Sequence, residues 1–174
     1  MIKDYTHDYA VAAFVFYAAC GCPSDEDVQR TLYKWAEKNH DSPESRNKRR
    51  RRRLLTEDDL IREKVSQTEK TLDCCIADIA AVNRMLEAVA EETMGSDKVK
   101  CIKYIYFCRN VNLSSRGSMS ALVQKCVTDT GMNESFIYRS LKQAREIFTR
   151  ERGLRSSAVT ETAAQIFGFA TQNH

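Results

Sequence analysis

Three observations predict an all-α fold for this chain. Glycine and proline are scarce, six and two in 174 residues, whereas β-rich architectures use them freely at turns. Apolar residues recur at helical spacing through most of the sequence. Capping residues open several of those periodic stretches, Ser24 and Thr56 each ahead of an acidic first turn and Asn133 ahead of Glu134. The expected architecture is a helical bundle with a long central helix and a C-terminal helix-turn-helix.

The elements follow in order. Residues 1–40 read as a helical hairpin. Its first helix, over 5–20, carries Tyr9, Ala13, Phe16 and Tyr17 on one face with Phe14 beside them. Gly21-Cys22-Pro23 breaks it, and Ser24 caps a second helix with Val28, Leu32, Trp35 and Ala36 at helical spacing. Residues 41–55 read as a basic linker, since seven of the eight residues from 46 to 53 are Lys or Arg and like charges at that density resist compact folding. Residues 56–95 read as one long scaffold or dimerisation helix. Leu60, Ile61, Val65, Leu72, Ile76, Ile79, Val82, Leu86 and Val89 form its stripe, which approaches a heptad from Leu72 onward. Asn83 falls on that stripe, either fixing register against a neighbour or tolerated at an edge. Gly95 and Ser96 are expected to end the helix.

Residues 97–153 read as the last domain. Val99, Ile102, Ile105, Tyr106, Phe107 and Cys108 make an apolar helix, and 110–118 is turn-like. Leu122, Val123, Cys126 and Val127 pack a further helix over 119–130. Residues 154–174 read as a C-terminal tail with a further helical candidate around Val159, Ala163, Ile166 and Phe167.

Composition narrows the function classes. The net charge of +3 is too small to imply nucleic acid by itself. No apolar run reaches the roughly 18 residues needed to span a bilayer. The apolar stretch from Ala10 to Cys22 lacks a basic leader and is interrupted by tyrosine, so it reads as a core helix in a cytoplasmic, membrane-free protein. The seven cysteines are odd in number and lack zinc-site spacing, so they read as small buried hydrophobes, with a metal or redox role at Cys20/Cys22 or Cys74/Cys75 as the lesser alternative. No nucleophile–base arrangement, carboxylate pair or glycine-rich phosphate loop stands out, and His7 with Asp4 or Asp8 reads as a surface polar cluster. A non-enzymatic protein with no cofactor and no metal is expected.

The segment from Asp129 to Arg145 carries the sharpest functional signal. Gly131 supplies the left-handed residue of a turn, Asn133 the cap, and Glu134 a favourable charge at the positive helix end. Ile137, Leu141, Ala144 and Phe148 form one buried stripe, leaving Tyr138, Arg139, Lys142, Gln143 and Arg145 to face outward. Tyr138 is expected partly buried and Phe136 partly exposed. This pattern is that of a helix-turn-helix, which sets its second helix in the DNA major groove. Ser135, Phe136, Arg139, Lys142 and Gln143 are the groove candidates, because arginine pairs with guanine and glutamine with adenine through two hydrogen bonds. Arg145, Arg150 and Arg152 are placed on phosphates. The run Arg49, Arg50, Arg51, Arg52 and Arg53 has three readings: an arm on nucleic acid, a solvated linker, or a targeting patch.

Gly131, Met132, Glu134, Ile137, Arg139, Leu141, Ala144 and Arg145 resemble, in place, the helix-turn-helix of region four of bacterial RNA polymerase sigma factors. Asn133 stands for the usual serine cap, and Thr130 stands where a leucine is usual. With the helix before it and Ile147–Gly153 after it, the region is also similar to sigma-like phage regulators of the ArpU type. The resemblance covers 97–152 and includes nothing like region two, the part that melts promoters. It implies an accessory transcription regulator encoded by a phage or prophage. Its implied partners are double-stranded DNA, RNA polymerase and a second copy of the chain. A protein-binding module that inhibits or adapts a polymerase, nuclease or host regulator is the competing reading.

Overall fold

A computed structural model describes residues 5–40, 56–107 and 117–154. All the regular structure among them is helical: α1 (Thr6–Ala19), α2 (Asp25–Asn39), α3 (Glu57–Thr71), α4 (Asp73–Ala90), α5 (Gly95–Tyr106), α6 (Ser118–Thr130) and α7 (Glu134–Glu151). The all-α expectation therefore holds, and no described helix is long and apolar enough to cross a membrane. The arginine run 49–53, Cys108 and the tail from 155 onward lie outside the described residues. Contacts divide the chain into two units, one made of Met1–Cys22 with Ala81–His174 and the other of Pro23–Ala80.

The two N-terminal helices fall in different units. Within the unit Pro23–Ala80, α2 packs along α3, burying Leu32 and Ala36 from one helix and Leu60 and Ile61 from the other. α1 instead packs on α5 and α7 in the other unit. The reason lies in composition. α1 buries Ala10, Ala13, Phe14, Tyr17 and Ala18, a broad apolar face suited to a core between helices. α2 offers a narrow stripe, and Trp35 stays 43% exposed with the Lys64 ammonium 5.3 Å from its ring centre.

Both α2 and α3 begin with reciprocal caps. The Asp27 N–H donates to Ser24 Oγ at 3.1 Å, and the Ser24 N–H donates to Asp27 Oδ2 at 3.2 Å. Thr56 and Asp59 repeat the arrangement at 3.2 and 3.0 Å. Hydrogen bonds from Ser24 and Thr56 hold the two aspartates below the ordinary value of 3.8. At the far end of α2, His40 Nε2 lies 3.0 Å from Glu57 Oε1, tying the two helix ends together.

The long helix expected over 56–95 is two helices. Leu72 leaves helical geometry (φ −101°, ψ 12°) and is 40% exposed rather than buried. Two threonines in the last turns before it bond back to the helix: Thr68 Oγ1 donates to the Lys64 carbonyl at 2.8 Å and Thr71 Oγ1 to that of Gln67 at 3.0 Å. Such back-bonding by β-branched residues bends and weakens a helix. Gly95 does not end a helix but opens α5. Its backbone turns so tightly that a Cβ there would lie 2.3 Å from the Ala90 carbonyl oxygen.

In the unit containing α1, the core gathers on Phe14, which is fully buried. Its ring meets Tyr106 of α5 at 4.9 Å and Phe148 of α7 edge-on at 5.2 Å. Ile102, Ile105, Val123, Ile137, Leu141 and Ala144 complete the packing of α5, α6 and α7. Asn83, the polar residue on the α4 stripe, accepts a 2.7 Å hydrogen bond from the Tyr17 hydroxyl and so fixes α1 against α4. The expected α1 face is shifted by part of a turn, since Tyr9 is 37% exposed and Ala10 is buried. The cysteines divide rather than bury together: Cys101 and Cys126 are buried, but Cys20, Cys22 and Cys74 are exposed. Cys20 is the C-cap of α1, Cys22 lies in the turn that follows it, and Cys74 is in the first turn of α4.

Two outcomes test this account. Phe14→Ala should cost about 3–5 kcal/mol in urea unfolding, and Val15→Ala, one residue along and exposed, within about 0.5 kcal/mol. In an NMR pH titration, Asp27 and Asp59 should titrate below 3.8, and Ser24→Ala should return Asp27 toward that value. Because the folded pKa is depressed, the capping contribution is present above 3.8 and is lost as pH falls through the folded value.

Candidate nucleic-acid interface

α6 and α7 are joined by three residues, Gly131, Met132 and Asn133. Gly131 takes φ +71°, and its N–H donates to the Val127 carbonyl at 2.8 Å, closing α6. Met132 reaches down to the core, where the Cys101 thiol donates to its sulfur at 3.1 Å. Burial, then the neighbouring Cys126, pushes Cys101 up to about 11, so it stays a thiol at neutral pH. Asn133 is extended, and its Oδ1 accepts the Ser135 N–H at 2.8 Å, opening α7. Thr130 is not a weakened core position. It is exposed, and its hydroxyl accepts from the Met132 N–H at 3.3 Å while donating to the Cys126 carbonyl at 2.6 Å. A hydroxyl thus braces the turn from outside, where a leucine would have packed inside. A Tyr104–Asp129 hydrogen bond ties the end of α6 to α5.

α7 buries Ile137, Ser140, Leu141, Ala144, Ile147 and Phe148. Its outer face carries Ser135, Tyr138, Arg139 and Lys142, all exposed. Arg139 Nε donates to the Ser135 carbonyl at 3.2 Å, and Lys142 pairs with Glu146 at 3.8 Å across a fully open surface. Such contacts are weak and exchange readily with solvent or a ligand. The expectation for the two aromatics is reversed: Phe136 is half-buried and Tyr138 is 40% exposed. Residue 136 sits one position before the buried Ile137, on the side turned toward the neighbouring helix.

Two more of the proposed contact residues point into the protein. Gln143 is half-buried, and its amide donates to both oxygens of Glu92 at 2.7 and 2.6 Å. The same carboxylate accepts from Lys98 Nζ at 2.6 Å, and these partners, Lys98 first, hold Glu92 below the usual glutamate range. Arg145 donates to the Tyr106 hydroxyl at 2.6 Å. Tyr106 is buried, which raises its pKa, and the guanidinium partly offsets that rise. Arg145 therefore satisfies a buried hydroxyl rather than facing outward. Arg150 remains exposed beside Glu151, and Arg84 donates to the Glu151 side chain and carbonyl at 3.3 and 3.2 Å.

The structure thus brings Ser135, Arg139 and Lys142 onto one open face, adds Tyr138 to them, and withdraws Gln143, Arg145 and much of Phe136. Glu92 and Tyr106 were not foreseen. No local pattern announces partners 51 and 39 residues away in sequence. Among the described residues, no group of three or more His, Cys, Asp or Glu side chains is placed to hold a metal ion. Comparison with protein-family models, curated proteins and solved structures gives no match to this chain.

The two arginines of α7 should respond differently to truncation. Arg145→Ala leaves the Tyr106 hydroxyl buried without its donor and should cost about 1–3 kcal/mol in chemical unfolding. Arg139→Ala, on the exposed face, should change stability by less than about 0.5 kcal/mol.

Proposed function

We propose that this protein is a DNA-binding transcriptional regulator that sets the N-terminal half of α7 in the major groove. The observation that carries the reading is the α6–turn–α7 unit. A three-residue turn with a left-handed glycine, a half-buried methionine and an asparagine cap presents a helix whose N-terminal half exposes Ser135, Tyr138, Arg139 and Lys142. Arg139 is the residue best suited to read a guanine, and Lys142 and Ser135 flank it. Tyr138 adds an aromatic edge able to meet a thymine methyl group. The similarity to sigma region four and to ArpU-type phage regulators supports the same reading, with polymerase as a further partner. Two copies of the chain would present two such helices to half-sites about one helical turn, roughly 34–36 Å, apart. The protein is proposed to be of phage or prophage origin, to act in the cytoplasm, and to catalyse no reaction.

A second reading has its own observation. In the unit Pro23–Ala80, Leu32, Trp35, Lys64, Thr68 and Leu72 line an open groove, and Trp35 and Leu72 are 43% and 40% exposed. Exposed large apolar residues around a groove suit a protein partner.

Fluorescence anisotropy with labelled duplex DNA across a salt series separates the two. Wild type should bind with affinity that falls steeply as salt rises. The Arg139→Ala/Lys142→Ala variant should bind about tenfold or more weakly, with a shallower salt slope. Absence of wild-type binding at low salt would transfer the function to the Trp35 groove.

A further inference from the structure

We propose that Lys98 and Gln143 form a phosphate-binding subsite at the edge of the α7 face, which the Glu92 carboxylate fills in the free protein. The inference rests on the DNA-binding reading above and concerns its regulation. Three elements converge here. Glu92 lies in the turn after α4, Lys98 in the first turn of α5, and Gln143 on α7, one helical turn beyond Arg139. The donor set is an ammonium and a primary amide, both directed at one carboxylate at 2.6–2.7 Å. A phosphodiester offers the same acceptor pattern, two equivalent oxygens sharing one negative charge. The positive end of α5 adds to the preference for an anion at this point.

Nothing about Lys98 and Gln143 requires the anion to be internal. The Glu92 side chain is 32% exposed, so it can swing into water without unpacking the core, while the Lys98 side chain, 17% exposed, keeps its ammonium at the protein edge. The backbone beneath Glu92 is fixed, because the Gly95 N–H donates to the Glu92 carbonyl at 2.8 Å in a turn with no room for a Cβ at Gly95. Only the side chain has to move. Glu92 therefore acts as an internal competitor: DNA must displace it before the flank of α7 gains its phosphate contact. This lowers affinity for any duplex and leaves the contact to complexes that seat Arg139 deeply enough to bring a phosphate to the site.

The test is duplex binding by the full chain across a salt series. Glu92→Ala should bind more tightly than wild type, and its log–log salt slope should steepen by about one, as for one added phosphate contact. Glu91→Ala, the same charge change at an exposed neighbour, should leave the slope unaltered. Adding Lys98→Ala to Glu92→Ala should abolish the gain. Circular dichroism checks the fold, and if Glu92→Ala loses helix, Glu92→Gln removes the charge at nearly constant volume and should show the gain in smaller measure. Equal binding by the Glu92 and Glu91 variants, or a gain that survives Lys98→Ala, overturns the proposal while wild-type binding keeps the DNA reading. If neither wild type nor any Glu92 variant binds, both fall together.

Discussion

The burial of one phenyl ring organises the unit that carries the candidate interface. Phe14 meets Tyr106 and Phe148 at once, so α1, α5 and α7 share a single packing centre. Aromatic pairs at such distances contribute beyond the area they bury. The arrangement also sets the height and rotation of α7, because Phe148 is in the same stripe as Ile137, Leu141 and Ala144. With that stripe inward, Ser135, Arg139 and Lys142 have no direction left except outward. The exposed basic face is thus a geometric consequence of the core beneath it.

The polar contacts around α7 refine what the core establishes. Arg145 and Gln143 are long polar side chains on flanks of the helix, and each is drawn in by a group with an unmet need. A buried hydroxyl on Tyr106 takes Arg145, and a half-buried carboxylate at Glu92 takes Gln143. The effect is to leave Arg139 and Lys142 as the exposed basic groups of the N-terminal half of α7, with Arg150 exposed at its far end. A surface narrowed this way is more selective about approach than a helix with charge along its whole length.

Much of this fold is legible in the sequence because local rules and tertiary demands agree. Ser24, Thr56 and Asn133 cap helices as their residue types suggest, and Gly131 takes the left-handed conformation its place in the turn requires. The stripe of α7 is read correctly from spacing. What escapes is decided between distant segments. The heptad-like run across Leu72 suggests continuity, but Leu72 leaves helical geometry and stays exposed, which apolar spacing does not reveal. Spacing says that α1 and α2 are amphipathic, not which helix each meets. At the candidate interface, polarity and helical position single out Arg139 and Lys142, yet the same two criteria admit Gln143 and Arg145, whose partners lie in other elements. A basic residue's helix position constrains its direction, and only the neighbouring helix decides whether it is occupied.

The position of Phe14 also bears on how the chain is made. The helix that carries it leaves the ribosome well before the helix that supplies Phe148. At roughly 5–20 residues per second, the interval is on the order of ten seconds. The α2–α3 pair, close in sequence, has its partners to hand far sooner. Ala10, Phe14 and Tyr17 meanwhile remain without the surface that buries them in the finished fold. A nascent chain interrupted before α7 carries an unmatched apolar helix, a ready substrate for chaperones and a seed for association with other incomplete copies. Completion of α7 and protection of α1 are the same event.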